Sequence, residues 1–266
     1  MIQFDFKGKT ILITAGSKGI GFALAREFAL NGANVSICSR SLTNLKNAKK
    51  LIMKADKNSK ILTLKHDLNN TKNIKNLFSK TEKYFNSKID ILINNSGGPP
   101  PKQISKTTSQ DWERAMNINL RSSIFASTIA IKEMKKKKWG RIINLTSSTA
   151  KEPAKNMCLS NITRAGLTSF GKTLSIEVAN QGITVNTILT GGVLTERLKN
   201  LIKQSMKNKK LNLNSEINKI AKNIPVGRIA KPFEFIQLIL FLASENSSYI
   251  TGAAIPIDGG SSKSIF

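Results

Sequence analysis

Short runs of apolar, often β-branched residues alternate along this chain with longer segments whose apolar positions recur at helical spacing. The short runs predict strands at Thr10–Thr14, Asn34–Cys38, Ile61–His66, Ile89–Ile93, Arg141–Leu145, Thr184–Ile188 and Ala253–Ile257. Helices are predicted at Gly19–Asn31, Leu42–Ala55, Thr71–Phe85, Gln110–Lys138, Arg164–Ala179 and Pro232–Ala243. The strand runs are apolar on both faces and are separated by helix-length crossovers, which requires a parallel sheet covered on both sides. Right-handed crossovers make this a doubly wound, seven-stranded α/β fold of the Rossmann type, with ligands at the carboxyl ends of the strands. No linker or internal repeat interrupts residues 1–266, so a single domain is expected. One segment breaks the alternation. Val193–Asn223 is long, Lys-rich and weakly amphipathic, and an insertion at the ligand edge of a sheet is expected to act as a lid.

Composition narrows the function classes. The net charge is +26, but its lysines are spread over every predicted helix and accompanied by many asparagines. Without a helix-turn-helix, a zinc finger or an aromatic-basic platform, that charge implies weak, salt-sensitive adhesion to polyanions rather than specific nucleic-acid binding. The first residues, Met1–Lys7, lack the apolar core of a signal peptide, and the run Leu238–Ala243 is far short of a membrane span. The two cysteines, Cys38 and Cys158, have no metal spacing, so a reduced cytoplasmic protein is expected. His66 is the only histidine, which excludes zinc sites and His-based triads. It is expected to cap the third strand.

The segment Thr14-Ala15-Gly16-Ser17-Lys18-Gly19-Ile20-Gly21 follows the first strand and opens the first helix. Glycines there let the backbone approach a pyrophosphate, whose charge the helix N-terminus favours. The second strand ends at Ser39-Arg40, where an NAD site puts an acid for the ribose 2′-hydroxyl. A guanidinium suits a 2′-phosphate instead, and Lys18 adds a second cation, so NADP(H) is favoured over NAD(H).

These features, in order and spacing over nearly the whole chain, resemble a short-chain dehydrogenase/reductase, of the branch labelled 3-oxoacyl-carrier-protein reductase-like. Ala15 replaces a glycine usual in that family. The resemblance implies that Asp67, with Leu68 beside it, contacts the adenine. It places Asn95, Ser96 and Gly97 along the cofactor, with Ser96 where alanine is usual. Thr190-Gly191-Gly192-Val193-Leu194-Thr195 resembles the loop beside the nicotinamide, with Thr190 in place of proline and Gly191, Val193 and Thr195 at cofactor-contacting positions. Ile250-Thr251-Gly252 and Asp258-Gly259-Gly260 complete the familiar C-terminal end.

The resemblance also identifies an altered catalytic set: Asn119, Ser147, Ser160 and Arg164. Ser147 stands at the family's catalytic serine, but the tyrosine thirteen residues later is Ser160, and the lysine four further on is Arg164. A tyrosine near pKa 10 can be brought toward neutrality by an adjacent cation. A serine hydroxyl is a far weaker acid, closer to water, and one cation does not bridge that gap. Arg164 keeps a charge able to bind ribose hydroxyls, but it is a very weak acid. Tyr84 and Tyr249 are not expected to reach the pocket, Cys158 reads as a small buried residue, and Lys151 and Glu152 are the remaining ionisable groups nearby. Three readings follow: an NADP(H)-dependent carbonyl reductase with an altered proton route, a catalytically silent NADP(H)-binding sensor or partner subunit, and a non-redox lyase or isomerase in the same pocket.

The loop Gly97-Gly98-Pro99-Pro100-Pro101-Lys102 should form a rigid wall beside the nicotinamide. The lid carries Lys199, Lys203, Lys207, Lys209, Lys210, Lys219 and Lys222 against Glu196 and Glu216. That excess either favours an anionic substrate, such as an acyl carrier or a carboxylate, or repeats the lysine bias of the whole chain. The long helices resemble those that pair across family dimers, so a homodimer or homotetramer is expected.

Overall fold

A computed structural model of the protein describes residues 4–205 and 212–265. Strand β1 (Thr10–Ile13) leads into helix α1 (Gly19–Leu30), and β2 (Asn34–Ser39) into α2 (Leu42–Ala55). Then come β3 (Lys60–Lys65), α3 (Ile74–Phe85) and β4 (Ile91–Asn94), followed by α4 (Ser109–Met116) and α5 (Ser122–Lys137). Strand β5 (Gly140–Leu145) precedes α6 (Cys158–Val178), and β6 (Ile183–Thr190) precedes α7 (Glu196–Ser205) and α8 (Leu213–Lys222). Helix α9 (Ile236–Ala243) and strand β7 (Ala254–Ile257) close the fold. All pairings are parallel, in the order β3-β2-β1-β4-β5-β6-β7. The doubly wound sheet expected from the apolar runs is therefore present.

Side-chain alternation along the strands divides the core in two. Ile11 and Ile13 of β1 pack with α1, α2 and α9 on one face, while Leu12 packs with α3, α5 and α6 on the other. Order reverses between β1 and β4, so the cleft at their carboxyl ends is the switch point at which such sheets bind ligands.

Two helices differ from expectation. The predicted helix Gln110–Lys138 is interrupted by a π-helical turn at Asn117–Arg121. Such a turn keeps the chain helical on both sides and contains no helix-breaking residue, so the segment reads as one helix; it often marks a functional residue. Helix α6 begins at Cys158, six residues before the predicted Arg164. Its N-cap, Met157, makes no side-chain cap, so the usual start signal is missing. The early start sets Ser160 and Arg164 at i and i+4 on one helix face.

Among the described residues, the segment expected to act as a lid holds two helices, α7 and α8, and is joined to the body by a bridge between Val193 and Ala230. Lys207, Lys209 and Lys210 lie outside the described residues. Among the described residues, no helix is long and apolar enough to cross a membrane, and no His, Cys, Asp and Glu cluster could hold a metal.

Candidate active site

A cavity of about 820 Å³ runs along the carboxyl edge of the sheet from the glycine turn to the start of α6. The turn is shaped by close approach. A Cβ at Gly16 would lie 2.7 Å from Ile37 Cγ2, and one at Gly21 2.8 Å from the Ala15 carbonyl. Gly19 sits at φ +57°, in the left-handed region. Ala15 is there too, at φ +47°, a conformation costing a non-glycine residue about 1–2 kcal/mol. Its carbonyl accepts from Asn95 Nδ2 at 3.1 Å. Thr14 Oγ1 donates to the Asn95 carbonyl at 2.6 Å and accepts from the Asn95 amide at 2.9 Å, locking the ends of β1 and β4 together. No side chain caps α1, and no acid stands in its first turn. Its first amides therefore face the cavity as ready anion donors.

Of the residues expected to bind the cofactor, Ser17, Lys18, Gly19, Ile20, Asn95, Ser96, Gly97, Arg164, Gly191, Val193 and Thr195 line this cavity. Thr14, Gly16 and Gly21 shape it from behind. Ser39 and Arg40 end β2 just before α2; Arg40 is exposed and, among the described residues, in no ion pair. Asp67 lies in a separate polar surface hollow, its carboxylate accepting from the Asn69 amide, whereas the Leu68 side chain is buried in the core. His66 follows β3, its amide donating to the Ser39 carbonyl, and burial lowers its imidazole pKa.

At the other end of the cleft, Ser147, Ser160 and Arg164 line the cavity together. Ser147 follows β5, and its hydroxyl accepts from the Thr149 amide at 3.2 Å. Among the described residues the Ser160 hydroxyl has no hydrogen-bond partner, although Ser160 is only 5% exposed. Arg164, also 5% exposed, donates to the Leu145 carbonyl at 2.8 Å and the Ser96 carbonyl at 3.2 Å. Burial, followed by repulsion from Arg197, lowers its pKa to about 10. Asn119 is buried at the π-turn rather than on the cavity wall, its amide donating to the Ala115 carbonyl. Ser96 connects it to the others, because its hydroxyl donates to Asn119 Oδ1 at 3.0 Å while its carbonyl takes the Arg164 bond.

Several expectations are corrected here. Glu152 does not enter the cavity, because its carboxylate accepts from the amides of Lys263 and Ser264 at 2.5 Å. The described lid lysines, Lys199, Lys203, Lys219 and Lys222, are exposed and do not line the cavity. The lid's cation there is Arg197, the single arginine among the lysines of 193–223, which was the one available signal for it. Cys158 is buried against Ala115 and Leu159, as its small apolar character implied, and its thiol donates to the Lys102 carbonyl. Tyr84 and Tyr249 are exposed and remote from the cavity lining.

A family model described as Enoyl-(Acyl carrier protein) reductase matches residues 14–262. The chain belongs to the short-chain dehydrogenase/reductase family. It is 32% identical to the NADPH-dependent reductase BacG of Bacillus subtilis, over 97% of this chain and 99% of that protein. It is 36% identical to the 3-oxoacyl-[acyl-carrier-protein] reductase FabG of Rickettsia prowazekii, over 97% and 98% respectively. Its fold superposes with a TM-score of 0.93 on L-sorbose reductase of Gluconobacter frateurii complexed with NADPH and L-sorbose, at 27% identity over 99% and 100%. As a short-chain dehydrogenase/reductase, the protein is an oxidoreductase. Its cleft joins an uncapped helix terminus suited to a diphosphate with hydroxyls and a guanidinium suited to a carbonyl oxygen.

Proposed function

We propose that the protein reduces the carbonyl of a ketone, a 3-oxoacyl group or a relative of it, to an alcohol, with a proton route that does not use tyrosine. The cofactor is NADP(H). When bound, it supplies the hydride that adds to the carbonyl carbon, leaving NADP⁺ and an oxygen to be protonated. The residues of the cleft suit it: the α1 amides for the diphosphate, Arg40 for a 2′-phosphate, and Arg164 for ribose hydroxyls.

Ser147 hydrogen-bonds the carbonyl oxygen. Arg164, held in place by two backbone carbonyls, stabilises negative charge developing there. Ser160 occupies the tyrosine's position with its hydroxyl unpartnered, so it orients a water that delivers the proton and is replenished from solvent. The chain from Arg164 through Ser96 to Asn119 keeps that water's surroundings fixed. One observation carries the reading: Ser147, Ser160 and Arg164 share a cavity with the glycine turn. Its test is NADPH oxidation with a panel of ketones and 3-oxoacyl thioesters. Ser147→Ala should lower kcat about 100- to 1,000-fold, the usual cost of losing an oxyanion donor, with NADPH affinity unchanged. A wild-type protein that binds NADPH and turns over nothing would establish the silent-binder reading instead.

The same reading pairs α5 and α6 across a homodimer or homotetramer. Phe125, Ile162 and Ile176 on these helices are exposed, apolar surface that such a pairing would cover. Both cysteines are free and buried, which suits a reducing compartment such as the cytoplasm.

A further inference from the structure

Glu196 and Arg197 are consecutive at the start of α7, yet their side chains part along the cleft. Glu196 accepts from Lys18 on the glycine turn at 2.7 Å, whereas Arg197 donates to the Pro99 carbonyl on the proline loop at 2.9 Å. The guanidinium is so close to that loop that a Cβ at Gly98 would lie 2.9 Å from its Nη2. One residue therefore serves the phosphate end and the next the reaction end.

The charges lining the cavity are Lys18, Arg164, Arg197 and Glu196, and Glu196 is already paired with Lys18. Among the described residues, no carboxylate lies within ion-pair distance of either arginine. Arg164 is buried, so water does not compensate its charge. Arg197, open to solvent along the cavity, is bonded to the same loop, since Arg164 donates to the Ser96 carbonyl at 3.2 Å and Arg197 to the Pro99 carbonyl at 2.9 Å, and the two charges repel. Two like charges facing one cavity without a counter-ion raise the energy of the empty site, and an anion placed between them relieves that. Arg197 spends one of its five donors on Pro99 and keeps a fork free for bidentate binding.

We infer that Arg197 binds a carboxylate of the substrate, which is a free oxo acid with its carboxylate a few bonds from the carbonyl being reduced. This rests on the reductase reading above and narrows its substrate class. The cofactor's diphosphate is served from the other side, by the α1 amides and Lys18. A carrier-bound thioester would put no charge at Arg197.

The test uses the NADPH-bound enzyme with pyruvate, acetoacetate and levulinate, each beside its methyl ester. At least one acid should exceed its ester about tenfold or more in kcat/KM. Arg197→Met should lower kcat/KM for that acid about 30-fold, mostly through KM, as expected for losing a hydrogen-bonded charge pair. The ester rate and the NADPH affinity, read by fluorescence titration, should stay within about threefold, and Arg197→Lys should recover part of the loss. Equal losses for acid and ester would overturn the assignment, as would weakened NADPH binding or efficient thioester reduction indifferent to Arg197. If the wild type reduces none of these compounds and none of the ketones and 3-oxoacyl thioesters of the panel above, the reductase reading falls. Titration of unreactive butyrate into the NADPH complex then decides the carboxylate site alone: Arg197-dependent binding upholds it, and absent or Arg197-independent binding overturns it.

Discussion

The two ends of the cleft are made by opposite means. At the glycine turn, contacts are short and polar groups are paired: Gly16 is pressed on Ile37, Gly21 on the Ala15 carbonyl, and Thr14 and Asn95 exchange hydrogen bonds. At the reaction end, among the described residues, the Ser160 hydroxyl has no hydrogen-bond partner, and the guanidiniums of Arg164 and Arg197, though they donate to backbone carbonyls, have no carboxylate counter-ion. A frame built from backbone approach is complete before any ligand arrives. A centre whose charges lack counter-ions is completed by its ligand. The first is demanding about small residues and indifferent to substrate. The second can change its side chains without disturbing the fold.

Gly21→Ala attacks the frame, and it carries the largest expected effect on cofactor binding. The new methyl would lie 2.8 Å from a backbone carbonyl and 2.6 Å from Asn95 Nδ2, and the backbone cannot yield cheaply. Overpacking of this kind costs about 1–3 kcal/mol, so NADPH affinity should fall roughly tenfold to 100-fold in a fluorescence titration. Turnover at saturating NADPH should change little. A large fall in kcat at saturation would mean that the two ends are not separable.

Arg40→Glu probes the frame's distal edge, where the effect should be smaller. Arg40 is exposed and unpaired among the described residues, so its contact with a phosphate is partly screened. The ratio of kcat/KM for NADPH over NADH should fall about tenfold or more, as a carboxylate replaces the cation beside the 2′-position. An unchanged ratio would remove Arg40 from the cofactor site.

How much was legible follows the same division. Strands β1 to β7 and the glycine turn could be read because runs of Ile, Val and Leu and small residues at fixed places encode backbone geometry locally. The π-turn at Asn119 was hidden, since no proline or glycine interrupts the helix-forming residues on either side of it. Ser160 and Arg164 were legible as residues but not as one helix face, because α6 starts without a capping side chain after Asn156 at φ +60°. Glu152 looked available in the sequence; only the return of the chain at Lys263 and Ser264 shows that it is engaged. Arg197 was masked by the lysines around it, and its meaning depends on Pro99, nearly a hundred positions away.

The smallest effect concerns the rim of the reaction end, where charges are paired, unlike those inside. Lys102 closes the proline loop and pairs with Asp111 Oδ2 at 2.5 Å, while its own carbonyl accepts from the Cys158 thiol. Asp111 also completes a capping box with Thr108 at the start of α4. The Lys102 hydrogen bond first, then the Thr108 amide, hold the Asp111 carboxyl at about 2, below its ordinary 3.8. A depressed carboxyl stabilises the fold above its unfolded value and loses that contribution as pH falls through the folded one. The rim should therefore hold down to about pH 4 and loosen between there and pH 2. A carbon-13 titration of the Asp111 carboxyl should show the low midpoint, and Lys102→Ala should move it back toward 3.8. Because an exposed pair contributes little, that variant should raise KM only about two- to threefold. If instead it matched the Arg197→Met loss, the proline loop would be held by its rim, and the Arg197 guanidinium would act on substrate only through the wall it touches.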